Sequence, residues 1–357
     1  VQNIDFYTDE MPAGGTTPLL RLGTATKDIR GLNIGVVRSG AAPKLSAGDR
    51  LLLMQTSGGA LTTDAHIINR IDAMQGVSRI YDFAIAQTAT GALTATVMGE
   101  EIAPQTKSIV ETRTGASAFL GDGADLLAGT GMDAAKKAAA NAAAQPGSVP
   151  YGLWAGMGGG ALRHNTGSYV EMRGWNLGVG WARENTVRTG TLIYGPFIEY
   201  GRGTYDSYLN DGTHGSGRTS YLGAGLTAAL DTKNHWLDAS LHAGRTRSDY
   251  TGITHYDSAS TYYALHIGMG RDFRLNGSTA LNAYLRYFYT HTTGTHAVMD
   301  SGEHYDFAAV DSHRLRIGTR YTHGMADFAQ FYAGLAWEYE FDGDARATSQ
   351  GDSAPSP

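Results

Sequence analysis

The stretch Ala309–Tyr321, AVDSHRLRIGTRY, sets three arginines inside what otherwise reads as a β-strand. Side chains alternate across a strand, so Leu315, Ile317 and Tyr321 share one face while Arg314, Arg316 and Arg320 share the other. A strand buried on both sides does not tolerate that. A membrane-barrel strand does, because one face meets lipid and the other a polar interior. On the lipid face an Arg costs about 2–4 kcal/mol at the bilayer midplane. The next run, FYAGLAWEYEF (331–341), puts Leu335, Trp337 and Tyr339 on one face and Glu338 and Glu340 on the other. The two acids are expected to neutralise the arginines across the strand pair.

The same period of two recurs upstream, in NLGVGW (176–181), YLGAGLTAAL (221–230), LDASLHAG (237–244), YYALHIGMG (262–270) and LNAYLRYFY (281–289). Nine such strands can be counted from residue 148 onward, each long enough for the roughly 9–11 residues that a tilted membrane strand needs. The connections alternate too. DTKNH (231–235), RLNGS (274–278) and THGMA (322–326) are short, whereas 203–217, 248–260 and 291–307 are long. Short and long in turn is the habit of an up-and-down outer-membrane barrel, with tight periplasmic turns and longer outer loops. A Greek-key sandwich has no reason to keep that order. Glycine mixed with charge on the polar face suits a wet lumen, to which Glu199 and Arg286 also turn. Trp175, Trp181, Trp337 and Tyr339 near strand ends suit interfacial girdles.

The bulk numbers agree. The 357 residues include 48 Gly, 9 Pro, 20 Tyr against 10 Phe, and no Cys. A chain that crosses a membrane unfolded gains from having no disulfides to form early. The net charge of -6 argues against nucleic acid as a partner. No apolar run of about 18 residues offers a transmembrane helix, which leaves barrel strands untouched. Two further zones precede the barrel pattern. Residues 1–104 hold short β-branched runs such as LNIGVVRSG (32–40) and YDFAIAQT (81–88), as in an all-β stack or solenoid, though no strict repeat period is visible. Residues 105–147 are dominated by Ala, Gly and Ser, with Ile109, Phe119 and Leu126 as scattered bulky residues. That texture fits either a thin helix lodged somewhere narrow or a flexible linker.

Together GADLLAGTGM (123–132), RHNTGSYVEMRGWNLGVGWA (163–182), FIEYGRGTYDSY (197–208), AVDSHRLRIGTRYTH (309–323) and LAWEYEFDGDARA (335–347) resemble the β-domain of the monomeric, type Va autotransporters of Gram-negative bacteria. GDRLLLMQTSGGAL (48–61) and YDFAIAQTATGALTATV (81–97) are similar to the C-terminal end of a passenger β-helix. The resemblance implies an all-β chain in three parts: a passenger end over 1–104, a linker with a pore helix over 105–147, and an outer-membrane barrel over 148–357. It implies export and surface display of the chain's own passenger, by a monomer that meets outer-membrane lipid, periplasmic chaperones and the barrel-assembly machinery. Family barrels have twelve strands and end in a terminal aromatic. With nine strands, and with a first residue that is not Met, the sequence is expected to be truncated at both ends. An open edge is then expected at Phe331–Phe341, and no closed monomeric barrel. A porin-like channel is the alternative, and an adhesin activity would lie in a missing passenger.

No enzyme, metal or cofactor site is expected. His291, His296 and His304 share one long loop without Cys or helical i, i+4 spacing, a poor metal set. Asp311, Ser312 and His313 contain the residue types of a hydrolase triad, but neighbours on a strand point to opposite faces. GMGGGALR (156–163) lacks a P-loop lysine and a following helix, so it reads as lumen space or strand curvature. Some members of the family cut their linker with a barrel residue; here charge balance is the preferred role of the inward acids.

Overall fold

The computed structural model describes the chain except residues 1, 12–13, 90, 146–149, 327–328 and 356–357. Its N-terminal part is built from parallel rungs. Asn3–Tyr7 pairs with Asn33–Val37, Leu20–Leu22 with part of Arg50–Thr56, and Lys27–Asp28 with Leu61–Thr62, each pairing joining residues 30 or 34 apart. The offset is one coil of chain, too long and too uneven to show as a repeat in the sequence. An antiparallel set, Arg70–Gln75, Arg79–Ala89 and Ala92–Ile102, closes the stack. Phe6, Val36, Leu51, Leu53, Tyr81, Phe83 and Leu93 fill the space between the layers.

The Ala/Gly zone is helical. Helix α1 (Lys107–Leu126) continues through a π-helical turn at Leu127–Gly131 into helix α2 (Met132–Ala143). From Lys107 to Ala143 that is about 55 Å of rod at 1.5 Å per residue. The fit to a narrow space is literal: a Cβ on Gly123 would stand 2.0 Å from Tyr221 Oη, and one on Gly121 3.1 Å from Arg314 Nη2. Residues that weaken a free helix here make room for the wall around it.

That wall is a nine-stranded antiparallel sheet in simple up-and-down order: β1 (Gly152–Asn165), β2 (Tyr169–Val187), β3 (Gly190–Tyr208), β4 (His214–Asp231), β5 (His235–Thr251), β6 (His255–Arg274), β7 (Thr279–Thr292), β8 (Val310–Ala326) and β9 (Ala329–Asp342). The helix touches strands from β1 to β8, so the sheet curls round it. Among the described residues β1 and β9 are not paired with each other, and Phe331–Phe341 lies on an exposed edge. No described helix is long and apolar enough to cross a membrane.

The long outer connections expected from the sequence are mostly strand. β3 runs to Tyr208 and β4 starts at His214; β5 runs to Thr251 and β6 starts at His255. Tyr, Thr and Ser in those segments keep the ladder going, so only 209–213 and 252–254 are connections. The segment between β7 and β8 is a true loop, with its own hairpin of Thr295–Val298 and His304–Phe307 joined by Ala347–Ser349. Strands of up to 20 residues are about 65 Å long, or roughly 45 Å of height when tilted near 45°, well beyond an apolar band of about 25 Å. The outer face shows the transition. On β3, Leu192, Tyr194, Pro196, Ile198 and Tyr200 point outward and are followed by Arg202, Thr204 and Asp206. On β4 the change falls between Leu222 and Ser220, and on β5 between Ala243 and Arg245.

Candidate functional site: the helix-filled interior

The inner face of the sheet meets the helix at three levels. Nearest the N-terminal rungs a collar of hydroxyls holds the start of α1. Ser108 Oγ lies 2.7 Å from Tyr250 Oη, Thr112 Oγ1 lies 3.0 Å from Tyr205 Oη, and Tyr256 Oη donates to the Ile109 carbonyl at 2.9 Å. Glu111 is fully buried here, where its carboxylate accepts from Thr166 and Ser168 at 2.6 Å each and from Ser207. Arg113 donates to Ser260 Oγ at 2.7 Å and to the Thr293 carbonyl at 2.9 Å. A buried ion costs dearly unless hydrogen bonds replace its water, and hydroxyls and carbonyls of the wall do so here. Gly167, at φ +81°, allows the tight turn that presents Thr166 and Ser168 to Glu111.

At mid-height the helix carries the counter-charge. Asp125 Oδ2 lies 2.7 Å from Arg316 Nη2 and 3.3 Å from Arg314 Nη1, while Glu338 lies 2.5 Å from Arg316 Nε and 3.2 Å from Arg314 Nη1. Arg314 also donates to the Gly121 carbonyl at 3.0 Å and sits over the Phe288 ring. Beside this cluster Asn176 Nδ2 donates to Asp122 at 2.6 Å and Tyr221 Oη donates back to Asn176 at 2.9 Å. At the far end Lys136 Nζ lies 2.6 Å from Asp231, and Ala135, Ala139 and Met132 pack on Trp154, Ala182 and Phe197.

The comparisons with known proteins bear on this arrangement. Residues 153–357, more than half of the chain, match the family model described as the autotransporter beta-domain. The chain belongs to the autotransporter β-domain family. It is an outer-membrane translocator domain, with further chain N-terminal to it. Among solved structures, the transport unit of the autotransporter AIDA-I from Escherichia coli is similar in fold at 11% identity and a TM-score of 0.53, with 71% of this chain and 84% of that one covered. The β-domain of the Bordetella autotransporter BrkA matches at 21% identity, TM-score 0.47, over 56% of this chain and 86% of that one. The translocator domain of NalP from Neisseria meningitidis matches at 13% identity, TM-score 0.44, over 65% and 87%. No curated protein matches the sequence.

Within this translocator the residues singled out by sequence fall as follows. Trp175, Trp181, Ile317, Leu335, Trp337 and Tyr339 are exposed on the outer face, and Leu315 lies half-buried on it. Arg286, Arg314, Arg316, Glu199 and Glu338 turn inward. The expected partnership of both glutamates with the arginines needs correction. Glu340 stands opposite Arg314 in register, yet its carboxylate accepts from Ser312 Oγ at 2.5 Å, and a register shift falls between His313 and Arg314. Asp125, from the helix, takes the second place. Arg320 is half-exposed, 3.7 Å from Asp133. Among the described residues Glu199 joins no arginine: His242 Nδ1 and Tyr262 Oη both lie 2.5 Å from its Oε1 in a buried cluster. Arg286 faces the rings of Tyr284 and Trp236. Some inner glycines make room for the helix, as where a Cβ on Gly156 would stand 3.4 Å from Gly131 Cα, and others make room for wall side chains, as at Gly223 beside Tyr262.

The candidate sites set aside in the sequence fall apart in space. Ser312 is buried on the inner side, while Asp311 on the outer side accepts from Tyr289 Oη at 2.8 Å with His291 Nδ1 2.9 Å away. His296 pairs with Asp306 on the outer hairpin, whereas His291 pairs with Asp311 across β7 and β8. Sequence reasoning missed Glu111, Asp122 and Asp125, although their spacing was a usable signal. Three carboxylates in an Ala/Gly run, 11 and then 3 residues apart, fall near one side of a helix.

Proposed function

We propose that this protein exports its own N-terminal passenger and holds it at the cell surface, the helix being the last passenger-linked segment left in the pore. The continuous helix inside the curled sheet, seated by Glu111, Asp122 and Asp125, is the observation that carries this reading. It also argues against a diffusion porin, in which nothing needs to fill the lumen. The parallel rungs of 1–104 support their identity as the end of a passenger β-helix, and the outer-face belt supports lipid contact by Trp175, Trp181, Leu315, Ile317, Leu335, Trp337 and Tyr339. Glu303, 3% exposed on the outer hairpin, accepts from the backbone N–H of Val77 at 2.8 Å and of Ser78 at 3.1 Å, which ties the rungs to the outward side. The domain works as a conduit, with periplasmic chaperones and the barrel-assembly machinery as partners in its insertion; any catalytic or adhesive activity belongs to the passenger. The test is surface display of a full-length protein carrying Ala116→Trp and Ala124→Trp. Both alanines are buried against the wall, so the outcome expected is a folded barrel with a passenger that external protease no longer reaches. Unchanged display would place the linker outside the pore.

A further inference from the structure

Above the outer aromatic boundary the wall of β3–β6 carries a polar groove of about 680 Å³. Register fixes its floor. Arg202 on β3 stands opposite Ser220 on β4, and Ser220 stands opposite Arg247 on β5. The two arginines therefore flank one small residue, about two strand spacings or 10 Å apart. Arg218 lies on the same face two residues along β4 and also lines the groove, while Arg245, two residues before Arg247 and opposite Leu222, stands on that face at the groove's belt-side edge, outside its lining. All four point outward and are exposed, and none has an ion-pair partner among the described residues. Like charges this close repel one another. Two acids reach the groove, Asp249 and Asp257, opposite each other in the row that also holds Arg218, one step farther from the apolar belt than Arg202 and Arg247; the Asp249 carboxylate accepts from the Arg218 backbone N–H at 3.1 Å.

We propose that Arg202, Arg218, Arg245 and Arg247 form a cradle for the phosphate of a lipid headgroup in the outer leaflet. Guanidinium forks bind phosphate oxygens in pairs, and several around one small residue suit a phosphate monoester better than any single contact does. The position selects a lipid. Arg245 shares a cross-strand row with Leu222 and Tyr200, the last apolar residues of the belt on their strands, and the Tyr200 ring lies 5.3 Å from that of Trp175. A headgroup whose acyl chains lie against Ile198, Leu222 and Leu226 arrives at this height. The proposal rests on the outer face being the lipid face, a setting that Leu226→Arg tests separately through assembly.

The test uses the full-length protein purified from outer membranes in neutral detergent. Dihexanoyl phosphatidic acid, dihexanoyl phosphatidylcholine and inorganic phosphate are the three probes, and the midpoint temperature of the heat-modifiable gel shift is the readout. Phosphatidic acid raises the midpoint, and the Arg202→Gln/Arg218→Gln/Arg247→Gln protein needs about tenfold more of it for the same rise. Arg247→Gln alone, which leaves most of the wall intact, needs about threefold more. Arg271→Gln, at the opposite rim and stacked on Phe273, behaves as wild type. A triple or single variant that titrates like wild type overturns the cradle. Inorganic phosphate acting at the same concentration would make it a free-anion site, and phosphatidylcholine acting equally would make it an acyl-chain site; either result overturns the assignment.

Discussion

Replacing Leu226 by Arg should destabilise the assembled protein strongly, whereas Thr251→Arg on the same outer face should not. Leu226 lies in the middle of the outward run Leu222–Leu230 on β4 and is 62% exposed, so a new guanidinium there has no protein to shelter it. At the centre of an apolar band an Arg costs about 2–4 kcal/mol, and near the interface about 0–1. The first figure is a loss of roughly 30- to 1,000-fold in the folded-to-unfolded ratio. Thr251 ends β5 well above the transition at Ala243/Arg245, among Asp249, His255 and Asp257, and its substitution stays in water. The assay is urea unfolding of the full-length protein in lipid vesicles, followed by heat-modifiable mobility. Leu226→Arg should lower the unfolding free energy by about 2–4 kcal/mol and Thr251→Arg by under about 1. Equal midpoints for the two would refute the depth assignment, and with it the division of each strand into a membrane half and an emergent half.

Three further outcomes follow from named contacts. Asp125→Asn removes the helix carboxylate from Arg314 and Arg316, whose side chains are 12% and 22% exposed; the partly buried network should lose about 1–3 kcal/mol, read as greater ion conductance through the domain in planar bilayers. Gly123→Leu, which drives a Cβ into Tyr221 Oη, should open the pore in the same assay, while Gly129→Ala, which meets nothing within 4 Å, should be neutral. Glu303→Ala should leave the Val77 and Ser78 amides unpaired, costing about 1–3 kcal/mol and exposing the end of the rungs to protease earlier than wild type.

The barrel pattern was legible because a strand with lipid on one side must alternate, and an arginine such as Arg316 cannot sit on the wrong side. Strand ends were less so. Hydropathy on the outer face changes at Tyr200/Arg202, but the ladder carries on above the belt through Thr204 and Asp206, and nothing in their side chains distinguishes a strand from a loop. The interior was the least legible. Parity says that Thr227 points inward, and a wet lumen would tolerate Arg there. In the structure Thr227 is buried, with Oγ1 3.5 Å from Met132 Sδ of α2, so an Arg at that position would displace the helix. Parity within a strand is local, but what fills the inside depends on a segment nearly a hundred residues away. The same holds for Glu340, whose inward direction was legible and whose partner was not.

The central claim, that the helix lies inside the sheet in the assembled protein, is open to one direct measurement. The sequence contains no cysteine, so a pair introduced at two sites is the only reactive pair in the chain. Asp122→Cys with Asn176→Cys places thiols where the side chains now hydrogen-bond at 2.6 Å; Asp122→Cys with Trp181→Cys places the second thiol on the outer face of the same strand. Treated with a short bifunctional thiol reagent in intact outer membranes, the first pair should cross-link nearly completely and the second should not. A first pair that stays open while the barrel keeps its heat-modifiable mobility, or a second pair that cross-links, would contradict a helix seated in the pore.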